Sequence, residues 1–250
     1  MSEPIQVERF SGFAEFYDEF MLRLVNYSAW VNYIVDIFNK KKAVVQTILD
    51  LACGSGIPTL LFAQKGYQIV GLDISEEMLK VFKDKLVKNS YRISLVHADM
   101  RNFAIPEKVD AVVCLYDSMN YLLTLQDLLA CFNCVANCLK PNGLFIFDMN
   151  TIYCLASFWD NRETPRQIGD IYSLWLNHYD PRSQISTLQL TVFTKDGRLF
   201  REIHQERGYE ESVIRDALLK ANFQGVDFYE HLTFKPINNK TLRMMVVAQK

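Results

Sequence analysis

Two glycines and an aspartate stand where they could hold a nucleotide cofactor. The stretch ILDLACGSGIPTLLF, residues 48–62, runs from an apolar segment through a turn of small residues into a second apolar segment. Glycine lets the main chain approach a ligand closely, and a strand that passes through glycines into a helix commonly binds a nucleotide. Gly54 and Gly56 therefore predict a cofactor site, and Asp73, at the end of IVGLD, is placed to accept hydrogen bonds from ribose hydroxyls.

The turn departs from the pattern that binds a dinucleotide. That pattern, Gly-x-Gly-x-x-Gly, needs a third glycine so that the helix can pack closely against the strand. Thr59 occupies the third position, and the chain contains no Tyr-x-x-x-Lys pair that would serve hydride transfer. Asp73 suits either kind of cofactor, so an NAD-dependent oxidoreductase remains an alternative function.

Strands and helices alternate between residues 44 and 149, which predicts an α/β fold with a doubly wound, mostly parallel sheet. Continuous apolar runs such as DAVVCLY and GLFIFDM indicate strands that are buried on both faces. The predicted strands are 44–51, 68–72, 92–97, 109–115 and 143–149, and the predicted helices are 57–64, 76–88 and 124–139, after one or two helices between 10 and 40. Ser75 is placed to cap the helix that begins at residue 76.

Apolar and polar residues alternate after about residue 150, which predicts antiparallel strands. The predicted strands are 171–178, 185–194 and 198–206, followed by a helix at 210–222 and two strands at 226–235 and 241–249. The meander is thus an insertion, residues 151–207, within a single domain that spans residues 1–250.

Composition restricts the classes of function. The chain has 250 residues, a net charge of -2 and 50% hydrophobic residues, which is typical of a soluble domain and disfavours nucleic acid as a partner. The sequence MSEP has no basic, apolar leader and no run of about 20 apolar residues follows, so we expect neither a signal peptide nor a membrane partner. Scattered cysteines indicate reduced thiols and a cytoplasmic location. Cys131, Cys134 and Cys138 share one helix face, where small buried thiols are expected and no metal is predicted.

Ordered motifs over about 100 residues resemble those of class I S-adenosylmethionine-dependent methyltransferases. DLACGSG resembles their motif I, Asp73 their ribose-binding acid, HADM (97–100) their adenine-edge motif and VVCLYDSMNYL (112–122) their motif IV. LKPNGLFIFDMNT (139–151) is similar to their fifth strand with its preceding turn. FAEFYDEFM (13–21) and the insertion are similar to those of small bacterial enzymes of this class, among them N-methyltransferases that act on glycine or amino sugars.

The resemblance implies a Rossmann-like sheet of seven strands with an antiparallel last strand, and S-adenosyl-L-methionine as the cofactor. It also implies that the chain is a methyltransferase that acts at nitrogen or oxygen of a small-molecule acceptor. A non-catalytic cofactor-binding partner protein is a third class of function, and a monomer and a homodimer both remain open. The residues expected to contact the cofactor are Tyr17, Trp30, Asp50, Ala52, Cys53, Gly54, Gly56, Asp73, Ile74, Met78, Asp99, Met100, Leu115 and Tyr116.

The acceptor site is expected beside motif IV, at the carboxyl end of the fourth strand. A sulfonium already activates its methyl group, so the enzyme mainly has to align donor and acceptor. Asn120 and Tyr121 are predicted to orient the acceptor, Tyr17 to close the pocket, and His204 and Arg207 to approach it from the end of the insertion. The insertion should pack its apolar face, made of Leu188, Leu190 and Val192, on the carboxyl edge of the main sheet and form a wall of the pocket.

Overall fold

A mixed seven-stranded sheet forms the centre of the protein. The computed structural model describes residues 3–87 and 91–250. Its strands are β2 (Thr47–Leu51), β3 (Gln68–Asp73), β4 (Ile93–His97), β5 (Val109–Cys114), β6 (Leu139–Asn150), β11 (Gly225–Glu230) and β12 (Arg243–Gln249). Their order is β11-β12-β6-β5-β2-β3-β4, and β12 is antiparallel to both of its neighbours while the remaining pairs are parallel. The predicted sheet with its antiparallel last strand is therefore confirmed.

Helices cover both faces of this sheet. They are α1 (Ala14–Leu24), α2 (Tyr27–Lys40), α3 (Ile57–Gln64), α4 (Glu76–Leu86), α5 (Leu125–Cys138) and α6 (Glu211–Lys220). Alternate residues of β6 point to opposite faces, so Phe145 and Phe147 pack with α5 and α6 while Ile146 packs with α2 and α3. This arrangement explains the continuous apolar runs of the buried strands. Among the described residues, no helix has the length and apolar character needed to cross a membrane.

Short polar side chains determine where two of the helices begin. Ser75 accepts a hydrogen bond of 3.1 Å from the backbone N–H of Met78 and so caps α4, as the sequence predicts. Thr124 accepts one of 3.0 Å from Asp127 at the start of α5. Helix α4 was expected to run to Lys88, which lies outside the described residues.

Four strands of the insertion and one short strand from the N-terminal segment form a second sheet of five strands. They are β1 (Ile5–Gln6), β7 (Glu163–Ile168), β8 (Ile171–Asp180), β9 (Ile185–Thr194) and β10 (Leu199–Arg207), in the order β1-β10-β9-β8-β7. The three predicted strands correspond to β8, β9 and β10. The sequence prediction missed β7, which contains Pro165 and stands at an edge of the sheet where a proline is tolerated, and β1, which is only two residues long.

The apolar face of the insertion packs mainly on α1. Leu190 and Val192 belong to a buried cluster that includes Phe13, just before α1, and Phe20 within it. The expectation that this face packs on the edge of the main sheet is thus wrong for Val192, because the phenylalanines of the α1 segment occupy that place. On its other side, α1 contacts α4 and the turn after β2.

Candidate functional site

The turn between β2 and α3 adopts a backbone that small residues make possible. Ala52, Gly54 and Gly56 have φ values of +61°, +52° and +81°. A Cβ added at Gly56 would lie 2.4 Å from ring atoms of Phe82, so both the backbone angle and the available space require glycine there. This turn exposes main-chain atoms to two adjoining cavities.

Asp73 binds the turn from the end of the neighbouring strand β3. Its Oδ2 accepts a hydrogen bond of 2.7 Å from the N–H of Gly54, and its Oδ1 accepts one of 2.8 Å from Ser75. Burial raises the pKa of Asp73, and these N–H donors oppose that shift. A carboxylate has about four acceptor sites, more than the N–H groups of Gly54, Ser75 and Ile74 occupy, and Asp73 lines the first cavity. The spacing from Gly56 predicted a ligand contact but gave no sign of the bond to Gly54.

Asp50 is buried beneath the same turn and has a specific partner. The Thr59 hydroxyl donates a hydrogen bond of 2.5 Å to Asp50 Oδ2, and neither side chain is more than 2% exposed. Burial raises the pKa of Asp50 to about 7, against the effect of the Thr59 hydroxyl. Thr59, which occupies the position of the third glycine in the dinucleotide pattern, therefore has a structural role of its own. It holds the Asp50 carboxylate, which lines the second cavity.

The first cavity has a volume of about 550 Å³ and lies over the ends of β3 and β4. Ile74 and Met100 line it as expected for residues that enclose a ring. Asp99 lines it too, but its carboxylate is already paired with the Arg101 guanidinium at 2.6 and 3.0 Å, which holds the pKa of Asp99 below its usual value. Its contact with adenine stays a prediction.

The second cavity has a volume of about 540 Å³ and lies between α1, α2, the turn after β2 and the insertion. The Trp30 ring stacks on Tyr116 with centroids 4.4 Å apart, and burial raises the pKa of Tyr17. Of the residues expected to contact the cofactor, those that line this cavity are Tyr17, Trp30, Asp50, Ala52, Cys53, Gly54, Met78, Leu115 and Tyr116. Gly56 lines neither cavity, because it serves the turn itself.

Tyr121 lies where the two cavities meet, and a hydrogen-bonded chain of two buried residues, His204 and Glu202, holds its hydroxyl in place. It lines both cavities, and its hydroxyl lies 3.0 Å from His204 Nδ1. His204 Nε2 lies 3.0 Å from Glu202 Oε2, and the backbone N–H groups of Phe10 and Phe13 also donate to Glu202. Since a carboxylate only accepts, Nε2 carries a proton, and in the neutral imidazole Nδ1 then accepts from the Tyr121 hydroxyl.

Burial, with Glu206 and Asp117 nearby, raises the pKa of Tyr121 well above its usual value. Tyr121 therefore keeps its proton at neutral pH and presents a phenolic lone pair to the cavities. No motif in the sequence predicts the contact of Tyr121 with His204 or that of His204 with Glu202. The alternation of Glu202, His204 and Glu206 on one face of β10 was the available signal.

An acidic cluster with one arginine forms the wall of the second cavity nearest to β6. Arg243 donates to Asp117 Oδ1 at 2.8 Å and also bonds Asp148. Asn150 Nδ2 donates to Glu206 Oε2 at 2.8 Å. Burial raises the pKa of Asp148 to about 6 and that of Glu206 well above its usual value. Asp117, Glu206 and Arg243 line the cavity. The residues of this cluster come from the segment after β5 and from β6, β10 and β12. Because they are far apart in sequence, no motif predicts the cluster.

Asn120 and Arg207 do not reach the site, which corrects their expected contact with the acceptor. Asn120 is fully buried; its Nδ2 donates to the carbonyls of Asn150 and Arg207, and its Oδ1 accepts from the N–H of Asn150. Arg207 Nη1 donates to the carbonyl of Leu123 at 2.9 Å. Neither residue lines either cavity, because their polar atoms bind the main chain.

The cysteines are free thiols; Cys131 and Cys138 lie on the buried face of α5, while Cys134 of the same helix is partly exposed. Burial raises the pKa of the Cys131 thiol well above its usual value. In residues 3–87 and 91–250, no group of three or more His, Cys, Asp or Glu side chains is arranged to hold a metal ion.

Comparison with known proteins supplies a second line of evidence. Residues 48–143 match a family model described as a methyltransferase domain. The chain is 31% identical over 250 residues to a Bacillus subtilis protein named "Putative methyltransferase YqeM", covering 93% of this chain and 98% of that protein. It is 29% identical to the glycine/sarcosine N-methyltransferase of Aphanothece halophytica, covering 94% and 92%. The crystal structure of an S-adenosylmethionine-dependent methyltransferase from Clostridium acetobutylicum superposes with a TM-score of 0.86 at 28% identity, covering 96% and 98%.

Proposed function

The chain belongs to the S-adenosylmethionine-dependent methyltransferases, and from that premise we propose that it methylates an amine nitrogen of a small molecule. The relative from Aphanothece halophytica is named for N-methylation of glycine and sarcosine. Within this chain, the position of Tyr121 is the observation that supports an amine acceptor.

The two cavities fit the cofactor. The glycine turn brings main chain to their common edge, the Asp73 carboxylate faces the first cavity, and the Asp50 carboxylate faces the second. We assign the ribose hydroxyls to Asp73, the adenine ring to Ile74 and Met100, and the ammonium to the side of Asp50. When bound, the cofactor supplies a methyl group that its sulfonium has made electrophilic.

Tyr121 would orient the acceptor nitrogen. Because Tyr121 lines both cavities, its hydroxyl stands near the point at which donor and acceptor must meet. The hydroxyl donates its hydrogen bond to His204, so its oxygen accepts a hydrogen bond from an N–H of the acceptor. An amine held in this way directs its own lone pair away from Tyr121 and toward the methyl group, which meets the need for in-line alignment.

Carboxyl groups favour nitrogen over oxygen as the acceptor atom. A neutral amine gains a positive charge as it takes the methyl group, and Asp117 and Glu206 line the same cavity. Asp117 and Asp148 share the single positive charge of Arg243, so this cluster keeps excess negative charge even with Glu206 protonated, and such charge in a site that excludes water stabilises a developing cation. A hydroxyl acceptor would instead need a general base, and Tyr121 keeps its proton because burial raises its pKa.

Release of S-adenosylhomocysteine from S-adenosylmethionine tests this proposal. The purified protein is given pools of primary and secondary amines and, separately, pools of alcohols and phenols. We expect product only with amines, at a rate that rises with pH as the fraction of neutral amine increases. Turnover of hydroxyl acceptors alone would refute the nitrogen assignment, and tight cofactor binding without turnover of any pool would favour a non-catalytic binding protein.

A further inference from the structure

Arg166 is a cation that lines the second cavity and that has no hydrogen-bond acceptor or ion-pair partner among residues 3–87 and 91–250. It lies on β7, the edge strand of the insertion, and its guanidinium is stacked over the Trp175 ring, 5.2 Å from the ring centre. Its Nε is buried, and within the described part of the chain none of its side-chain N–H groups has an acceptor. Burial lowers the pKa of Arg166, which reflects a charge that is removed from water without compensation.

The other candidate cations of this cavity are already neutralised or engaged. Arg243 is paired with Asp117 and Asp148. Burial, together with the charge of Arg243, lowers the pKa of His231 to about 4, so that imidazole is neutral at physiological pH. His204 uses both ring nitrogens on Tyr121 and Glu202. Arg166 is thus the lining guanidinium that is available to a ligand.

The charges of the cavity are separated across the insertion sheet. Arg166 stands on β7, whereas Glu206 stands on β10, three strands away in the order β10-β9-β8-β7. Asp117 and Asp148 share the one charge of Arg243, so the cluster beside Glu206 keeps excess negative charge and disfavours an anion there, whereas a planar guanidinium binds carboxylate or phosphate through paired N–H donors. A ligand with an amine at one end and an anion at the other matches both ends.

We propose that the methyl acceptor carries an anionic group, a carboxylate or a phosphate, that binds Arg166 while its amine nitrogen lies beside Tyr121. This inference rests on the proposed N-methyltransferase function and narrows its substrate class to amines with an acidic group. Arg166 is a specificity-determining residue, because it selects and positions the acceptor without touching the reacting atoms.

The anion site is tested first without turnover. The protein saturated with S-adenosylhomocysteine is titrated with sodium acetate and with sodium phosphate at constant ionic strength, and the arginine Nε–H signals are followed by NMR. The Arg166 signal is assigned by its absence in Arg166→Gln. We expect this signal to shift and saturate with at least one anion, whereas chloride leaves it unchanged. An unsaturable shift like that of the exposed Arg182 would overturn the anion site.

Turnover of matched acceptors then tests the role of the anion. Glycine is compared with glycinamide, and glucosamine 6-phosphate with glucosamine, so the two pairs separate carboxylate from phosphate. Because β7 and β10 are about 14 Å apart, a third and longer pair, 6-aminohexanoate and its amide, allows for an acceptor in which glycine is too short to reach both ends. We expect the anionic member of one pair to have the higher kcat/KM by about tenfold or more, through KM. Arg166→Gln should abolish this preference, Arg166→Lys should restore part of it, and Arg182→Gln should leave it unchanged.

The outcomes separate the two proposals. Equal kcat/KM for both members of each pair refutes the anion requirement and leaves N-methylation standing. Turnover of no amine refutes the proposed function, and the NMR titration then decides the anion site by itself. A tenfold loss of S-adenosylhomocysteine affinity in Arg166→Gln would assign Arg166 to the cofactor carboxylate and overturn its role in acceptor choice.

Discussion

The two cavities are built in different ways. The first is formed mostly by strand ends and turns of the main sheet, where Asp73 binds the main chain of Gly54, 19 positions before it, and of Ser75, two positions after it. The second depends on side chains that lie far apart in sequence, such as Tyr121 and His204, which are separated by 83 positions. The bonds of Asp73 are therefore nearly local in sequence, whereas only the complete fold brings Tyr121 and His204 together.

This difference separates the binding of the cofactor from the selection of the methyl acceptor. The cofactor is common to the family, and a main-chain turn that side chains do not obstruct is sufficient to recognise it. The acceptor side presents an aromatic wall, the acidic cluster and Arg166, all of which substitution can change without altering the turn. We therefore expect substitutions in the glycine turn and at the carboxylates beside it to affect folding or cofactor affinity, whereas substitutions on the acceptor side of the second cavity affect turnover.

Gly56→Ala should have the largest effect, because it combines a strained backbone with a clash. The positive φ and the overlap with Phe82 together should lower the free energy of unfolding by about 3–5 kcal/mol. Urea denaturation measures the loss. Gly66→Ala is the matched control, since its φ is +95° but nothing lies within 4 Å of its Cβ; equal losses in the two variants would contradict the steric argument.

Asp73→Ala should weaken cofactor binding by about 100-fold, or about 3 kcal/mol, since a charged acceptor is lost from both the ribose and the turn. Calorimetry with S-adenosylhomocysteine measures the affinity, and urea denaturation confirms that the variant is folded. Asp170→Ala, on the exposed turn of the insertion, is the control. An unchanged affinity of Asp73→Ala for S-adenosylhomocysteine would contradict the assignment of the ribose to Asp73 and the contrast between the two cavities.

Tyr121→Phe should lower kcat by about 30-fold, because the acceptor loses the hydroxyl that aligns it. Affinity for S-adenosylhomocysteine should stay within about twofold, since the ring is kept. Steady-state kinetics with an accepted amine, beside calorimetry, separate these two quantities. A parallel loss of cofactor affinity would show that Tyr121 belongs to the first cavity as much as to the second.

Asp50 should make cofactor binding depend on pH. Burial raises its pKa to about 7, and a bound ammonium nearby would lower that pKa again, so binding should release a proton. Affinity for S-adenosylhomocysteine should therefore rise by up to about tenfold between pH 6 and pH 8, and Asp50→Asn should flatten the profile. Calorimetry in buffers of different ionisation enthalpy counts the proton; the same profile in both proteins would remove Asp50 from the site.

The raised pKa of Asp50 also makes the stability of the protein depend on pH. The folded protein binds a proton that the unfolded chain loses near pH 4, so this group lowers the free energy of unfolding as pH rises from about 4 to about 7. We expect Asp50→Asn to gain stability relative to the parent over that range in urea denaturation without cofactor. A difference in stability between the two proteins that does not change with pH would contradict the assignment.

The sequence was informative where structure is local. Apolar runs predicted the buried strands, and the glycine turn with Asp73 predicted the cofactor edge. Edge strand β7 and the two-residue β1 have no such pattern, because an edge strand tolerates proline and charge. Asn120 and Arg207 were expected at the acceptor by their position near motif IV and the insertion, but main-chain carbonyls bind their side chains instead. Arg166 and Glu202 were missed because their importance depends on packing across the insertion.

The bonds of Asn120 make the insertion an exchangeable module. One amide binds both Asn150, where the chain leaves the main sheet, and Arg207, where it returns. These bonds fix the base of the insertion, while Phe13 and Phe20 of the α1 segment pack on its apolar face. Descendants of such a protein could acquire new acceptors by drift of the insertion alone, and an engineer could graft residues 151–206 from one relative onto another, provided that this asparagine, its two main-chain partners and the packing of the N-terminal segment are retained.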